Sequence, residues 1–270
     1  MMRNAARTAN AQDLTAHERR NSIAEMLEEQ DRVSVAELAL RFGVTDVSIR
    51  RDLMILEDEG RLRRVHGGAV PASVGRVPGT YALKARENRE QKARIGAAAA
   101  SLIRPGDVVI FDSGSTVAQV AAHVPASLRR SSAITVVTNS LPVVSEIAAW
   151  EGPHLICLGG LYLPDHQALV GPQTVADLRE LSADTVFIGC DGLTFETGLT
   201  TPHVLVAEVG ATMASRARRV VAVADSTKVG RRGFTPIVPL SSVQVLITDE
   251  AADPATVERA EELGIEVVLA

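Results

Sequence analysis

From about residue 90 onward the chain is a succession of short β-branched runs: VVIFD (108–112), ITVVT (134–138), HLICL (154–158), TVFIG (185–189), VVAVAD (220–225), VQVLIT and IEVVL (265–269). Alanine-rich stretches with helical character separate them, near 91–103, 116–123, 141–150, 172–181, 203–217 and 254–263. A strand with one wet face alternates apolar and polar residues, and these runs barely do. They are therefore expected to be buried on both faces. Strands of that kind, each followed by a helix, build a parallel sheet covered by helices, a Rossmann-like α/β architecture. Hydrophobic residues make up 46% of the chain, enough for such a core, but aromatics are only 3%, so it must be filled by Val, Leu, Ile and Ala.

The first seventy residues follow a different pattern, dense in charge and helical in period. Ile23, Met26 and Leu27 form an i, i+3, i+4 stripe within a helix expected from Glu18 to Gln30. "SVAE" opens a second helix with the capping-box pattern, Ser34 serving the N–H of Glu37 and Glu37 that of Ser34. Phe42-Gly43-Val44 breaks it, and Thr45 is placed to cap a third helix. In that helix Ile49, Leu53 and Leu56 must face inward. Arg51 lies about 200° around from Ile49 at 100° per residue. Val47 shares the outer side, with Ser48 and Arg50 flanking.

Two helices, a short glycine turn and a further helix make the helix-turn-helix pattern, whose second helix offers its first turns to the major groove. Arginine there bonds guanine bidentately or bridges phosphates. The acidic Glu57, Asp58 and Glu59 mark the opposite end of the helix, the end turned from phosphate. "RLRRVHGGAV" then forms a hairpin, with Gly67-Gly68 supplying the positive φ of a tight turn and Arg61, Arg63 and Arg64 along it as a wing. The surface expected to meet a double-stranded DNA operator is Ser34, Thr45, Val47, Ser48, Arg50, Arg51, Arg61, Arg63, Arg64, His66 and Gly67. A formal charge of −5 excludes a globally basic protein but not this local patch.

These patterns divide the chain into a disordered lead-in (1–16), the helix-turn-helix domain (17–70), a linker (71–90) containing "PASVGRVPGT", and the α/β domain (91–270). The N-terminus lacks the apolar stretch of a secretory signal, and no apolar run is long enough to span a membrane. Cys157 and Cys190 have no metal-ligand spacing and are expected to be buried thiols in a reducing compartment. We expect a soluble, cytoplasmic protein.

Within the α/β domain, "FDSGST" follows the first strand and opens a helix. Asp112, Ser113, Gly114, Ser115 and Thr116 would present backbone N–H groups and hydroxyls to one phosphate. It is neither a Walker loop nor Gly-x-Gly-x-x-Gly, so a dinucleotide is not expected. Other strand ends are polar or glycine-rich as well: Thr138, Asn139 and Ser140; Gly159 and Gly160; Asp191 and Gly192; Asp225 and Lys228. Ligands of open α/β sheets sit beyond the carboxyl ends of the strands, so these ends are expected to share one rim. Asp191 would accept sugar hydroxyls and Lys228 would neutralise phosphate. The histidines show neither triad order nor metal spacing. "LYLPDHQALVG" is expected to be a loop closing over the ligand with Asp165, His166 and Gln167.

Residues 19–69, and above all "SIRRDL" and "RVHGGA", resemble the winged-helix amino terminus of the DeoR family of bacterial transcription repressors, and the resemblance continues through the rest of the chain. It implies a regulator of carbohydrate metabolism whose second domain senses a phosphorylated sugar. That domain is similar in fold to ribose-5-phosphate isomerase. The resemblance places phosphate on Ser113–Thr116 and Lys228 and the sugar on Asp191, and adds Glu208, in "LVAEV", as a glutamate common in the regulators. Two or four copies would place recognition helices on spaced half-sites, so a homo-oligomer, dimer or tetramer, is expected, with no cofactor and no metal. The isomerase pattern carries a second Asp where this chain has Thr194, and a Lys after Arg-Glu where this chain has "AEVG". Proton transfer then lacks its base and electrophile, so a sensor without catalytic residues is expected rather than an isomerase-like enzyme with a DNA-binding head.

Overall fold

The computed structural model describes residues 15–29, 32–59, 61–65, 67–71, 80–130, 133–152 and 154–270. The chain divides into two compact units, Met1–Pro78 and Gly79–Ala270.

In the first unit, α1 (Ala16–Glu29) is followed by β1 (Val33–Ser34), α2 (Val35–Phe42), α3 (Asp46–Asp58) and a hairpin of β2 (Leu62–Val65) and β3 (Gly68–Pro71). Residues 1–14 of the expected lead-in lie outside the described residues. Thr15 is already structured, because "TAHE" is a second capping box. Glu18 N donates to Thr15 Oγ1 at 3.3 Å and Thr15 N donates to Glu18 Oε2 at 2.9 Å. The bonds from Thr15 hold the exposed Glu18 carboxyl below its usual range. The predicted box at Ser34 and Glu37 is present, and Gly43 ends α2 in the left-handed region at φ 64°. Ile23, Leu27, Leu38, Ile49, Leu53 and Leu56 share one core.

The hairpin forms as expected, with a correction to its glycines. Gly67 carries the positive φ, at 78°. Gly68 belongs to β3 and pairs with Ser34 of β1. A Cβ on Gly68 would run into the carbonyl of Val33, so this glycine is required by close backbone approach.

In the second unit, α4 (Thr80–Arg86) and α5 (Arg89–Ala100) lead into β4 (Val108–Phe111). There follow α6 (Ser115–Ala122), α7 (Ala126–Arg129), β5 (Thr135–Thr138), α8 (Leu141–Ile147) and β6 (His154–Cys157). A small antiparallel hairpin, β7 (Leu161–Leu163) and β8 (Ala168–Val170), precedes α9 (Pro172–Arg179) and β9 (Ala183–Ile188). Next come β10 (Gly192–Thr194), β11 (Gly198–Thr201), α10 (Val204–Ser215), β12 (Ala217–Val223), β13 (Thr235–Val238), β14 (Val245–Thr248), α11 (Pro254–Glu262) and β15 (Glu266–Leu269).

Seven strands form one sheet in the order β15-β14-β12-β9-β4-β5-β6, and every pairing is parallel. From β4 the chain winds one way through β5 to β6. It then returns to the other side of β4 and continues through β9, β12, β14 and β15. The winding reverses between β4 and β9, and a crevice at the carboxyl ends is expected at that point. Two apolar clusters, one on each face, bury the sheet.

Three expectations are corrected. Burial on both faces holds for the inner strands, whereas the edge strand β6 is largely exposed, and Cys157 on it is exposed rather than buried. The segment expected as a linker (71–90) ends early: residues 72–79 lie outside the described residues, but α4 packs on α6 as part of the second unit. The predicted closing loop is the hairpin β7–β8, and β10, β11 and β13 form a further antiparallel sheet.

Candidate functional site

In the first unit, the structure presents the amino end of α3. Thr45 caps it, its Oγ1 accepting the N–H of Ser48 at 3.3 Å and lying 3.1 Å from Ser48 Oγ. Arg50 and Arg51 are exposed and belong to no ion pair among the described residues. Val47 between them and the cap is 75% exposed and lies outside the core. Asp52 points the other way, 3% exposed, with Arg19 Nε at 2.6 Å and Arg20 Nη1 at 3.5 Å. That bridge fixes α1 to α3, and the sequence reading did not include it.

Two of the three expected wing arginines, Arg61 and Arg64, are ion-paired. Arg64 Nε sits 2.6 Å from Glu57 Oε2, and its backbone N donates to Glu57 Oε1 at 2.9 Å. Arg61 lies 3.7 Å from Glu59 and donates to Asn21 Oδ1 at 3.0 Å. Two of the three acidic residues at that end of α3, Glu57 and Glu59, are thus paired with arginines that follow the helix. The side chain of Arg63, and His66, lie outside the described residues. Ser34 spends its hydroxyl on the cap of α2, and Gly67 is exposed at the turn. A groove open to solvent runs between α3 and the hairpin, with Arg50 and Arg64 on its walls.

In the second unit, a small cleft, partly open to solvent, lies at the reversal of the winding. Asp112, Ser113, Gly114, Ser115 and Thr116 line it, following β4. Gly114 turns the chain into α6 at φ 137°, a value favouring glycine. Gly189, Cys190 and Asp191 line it from β9, and Lys228 from beyond β12. Three neighbouring strand ends therefore build the cleft. Asp112 is 2% exposed, and burial pushes its carboxyl up to about 7. Burial likewise pushes the Cys190 thiol up to about 12, which keeps it protonated. Asp191 accepts Thr201 Oγ1 at 3.1 Å and is ion-paired with Lys84.

The other predicted rim residues do not line the cleft. The ends of β5 and β6 lie on the far side of β4, where they hold the hairpin instead. Asn139 Nδ2 donates to Leu169 O at 2.9 Å, Asn139 O accepts Leu169 N at 2.8 Å, and Thr138 Oγ1 donates to Phe111 O at 2.7 Å. Ser140 bridges to Ala168. Gly159 accepts from Thr174 Oγ1 at 2.6 Å, and a Cβ on Gly160 would collide with that same hydroxyl. Gly192 pairs with Thr200 and packs on the Arg231 backbone. Asp225 is buried as the cap of a short 3-10 helix, accepting Thr227 N at 3.2 Å and Asn88 Nδ2 at 3.0 Å. Glu208 is exposed on α10 and is not part of the lining.

The cleft also holds residues that sequence reasoning missed. Tyr81 and Lys84 come from α4, and Lys92 from α5. Lys92 is 2% exposed, and burial lowers the pKa of its ammonium. Burial pushes the Tyr81 phenol up to about 12. Asp165 and His166 reach the cleft from the turn of β7–β8, while Gln167 bonds Tyr162 Oη at 2.6 Å and Pro164 O at 3.0 Å within the hairpin. Burial lowers the pKa of the His166 ring. Among the described residues no cluster of His, Cys, Asp and Glu is placed to hold a metal, and no helix is long and apolar enough to cross a membrane.

A helix-turn-helix unit with exposed arginines at the amino end of α3, carried in one chain with a doubly wound unit that bears a polar cleft, defines a class: regulators that read DNA with one part and a small molecule with the other. Residues 19–73 match the DeoR-like helix-turn-helix domain and residues 87–250 the DeoR C terminal sensor domain, so the chain belongs to the DeoR family of DNA-binding transcriptional regulators. It is 38% identical over 252 residues to the HTH-type transcriptional regulator GlpR of Haloferax volcanii, covering 93% of this chain and 96% of that one. It is 31% identical over 252 residues to the HTH-type transcriptional repressor GlcR of Bacillus subtilis, covering 93% of this chain and 95% of that one. Among solved structures, ribose 5-phosphate isomerase A from Methanocaldococcus jannaschii is similar at a TM-score of 0.39 and 18% identity, over 53% of this chain and 55% of that one.

Proposed function

We propose that the chain represses genes of carbohydrate metabolism and that a phosphorylated sugar in the central cleft controls its hold on DNA. The observation that carries the sensing half is the convergence on one cleft of the Ser113–Thr116 turn with Lys84, Lys92 and Lys228. Hydroxyls, backbone donors and three ammonium groups suit a phosphate. Asp191 and Asp165 supply acceptors for sugar hydroxyls. The DNA half rests on exposed Arg50 and Arg51 at the capped end of α3. Recognition helices of this kind act in pairs on spaced half-sites, so the working form is a homo-oligomer.

The cleft binds without turnover. Thr194, at the position of the isomerase's second Asp, spends its hydroxyl on a turn with Thr197, 2.7 Å away. No cofactor enters this reading. The effector acts by binding two conformations of the regulator unequally.

The test is direct. Fluorescence anisotropy on operator DNA, titrated with a panel of pentose and hexose phosphates, is expected to show release or tightening by at least one of them. The free sugars are expected to be inert. Thermal stabilisation should follow the same ranking. A regulator whose melting and DNA affinity ignore every phosphate ester would contradict the proposal. Appearance of an isomerised product would favour the enzyme instead.

A further inference from the structure

Lys84 has two possible uses, and they compete. Its ammonium is ion-paired with Asp191 across the cleft. Lys84 also lines the cleft framed by Ser113–Thr116. Its backbone carbonyl is held as well: Lys92 Nζ donates to Lys84 O and, at 2.7 Å, to Glu87 O, while Ser115 Oγ of the anion turn donates to Lys84 O at 3.4 Å. The carboxyl end of α4 is therefore gripped by a buried lysine and by the turn where an anion would sit. In chain order α4 is the first element of the second unit, the next described element after β3.

We propose that Lys84 is a displaceable latch: an incoming sugar phosphate takes its ammonium from Asp191, and the exchange loosens α4, through which occupancy of the cleft is passed toward the DNA-binding end of the chain. This rests on the reading of the cleft as a sugar-phosphate site and adds the residue that converts binding into a signal. The chemistry also sets the selectivity. Thr201 already serves Asp191 Oδ2, so removing Lys84 leaves Asp191 Oδ1 without its partner in a partly buried place. A lone carboxylate oxygen there is costly. Inorganic phosphate offers Lys84 an anion but gives Asp191 only repulsion. A free sugar offers Asp191 a hydroxyl but gives Lys84 nothing in exchange. Only a molecule carrying both groups compensates both halves of the pair.

The experiment uses the full chain, inorganic phosphate and the tightest-binding sugar phosphate of a panel containing glucose 6-phosphate, fructose 1-phosphate and ribose 5-phosphate. Lys84→Met, Lys84→Arg and Asp191→Asn are compared with the parent by calorimetric titration and by hydrogen exchange of residues 80–86. Asp191→Asn should bind inorganic phosphate about tenfold more tightly, the effect of freeing one charge at a partly screened site. Lys84→Met should bind it more weakly, and Lys84→Arg should stay near the parent. The amides of α4 should exchange faster in Asp191→Asn, and in the parent once the sugar phosphate is added. In Lys84→Met the ligand should no longer change them. If Asp191→Asn and Lys84→Met shift phosphate affinity in the same direction, the latch is wrong. It is equally wrong if α4 exchange ignores a ligand that calorimetry shows bound, and in both cases the sugar-phosphate reading stands. Binding of no phosphate compound to parent or variants removes that reading and the latch with it.

Discussion

At the scale of single residues, exposure and partnering separate the arginines of the first unit. Arg51 is exposed and in no ion pair among the described residues, whereas Arg64 is paired with Glu57. Arg51→Ala is therefore expected to cost roughly 1–3 kcal/mol of specific binding, with a smaller loss on random DNA, measured by anisotropy at fixed salt. Arg64→Ala should change DNA affinity less than Arg51→Ala does. Asp112 gives a pH prediction. Its folded pKa, about 7, lies above the ordinary carboxylate value. The folded state then binds a proton that the unfolded chain has released, so stability falls as pH rises from about 4 to about 7 and levels off above. Asp112→Asn should flatten that part of a urea-midpoint-against-pH curve. An unchanged slope would mean the carboxyl is ionised throughout. A phosphate nearby further disfavours the charged form, so ligand affinity should also weaken above pH 7 in the parent and not in the variant.

At the scale of elements, what the sequence displayed depended on run length. The inner strands of the large sheet were legible because buried β-branched runs have no competing explanation, and helices 172–179 and 204–215 lay where the alanine-rich gaps put them. The hairpin β7–β8 was not legible. Each of its strands is three residues long, too short for a period to show, and the Pro164-Asp165 turn between them looked like loop. The same brevity hid α4, seven residues that follow a Pro/Gly-rich stretch. With it went Tyr81 and Lys84, cleft residues that come before the anion turn in the chain. The capping box at Thr15 was readable by the rule that found the one at Ser34, but no apolar stripe began beside it to draw notice. Five rim ends were expected and three line the cleft, because strand order, which no local pattern reveals, sends β5 and β6 to the other side of β4. The hairpin carries a prediction of its own. Asp165→Ala and His166→Ala should alter which sugar phosphate stabilises the protein most. Gln167→Ala should lower stability with the ranking kept, since its amide serves Tyr162 and Pro164 rather than the cleft. The reverse pattern in a thermal-shift panel would reassign the turn.

At the scale of the whole molecule, each apolar cluster draws on one unit only. Residues 23–69 form one core, and residues from 95 onward form the other two. Residues 79–270 expressed alone should consequently fold cooperatively and keep the ligand ranking of the full chain while losing DNA binding. A fragment that melts without cooperativity would show that the first unit contributes to the second's stability. The winding of the sheet has one more consequence. Because the path reverses beside β4, the segments meeting at the cleft come from opposite arms of a single ribbon: one arm ends in β6 and the other in β15. A small molecule lodged there acts as a rivet through both arms, so neither could peel away without first expelling it. Occupied protein should then resist proteases along its full carboxyl-terminal two-thirds, not merely around the loops that touch the guest.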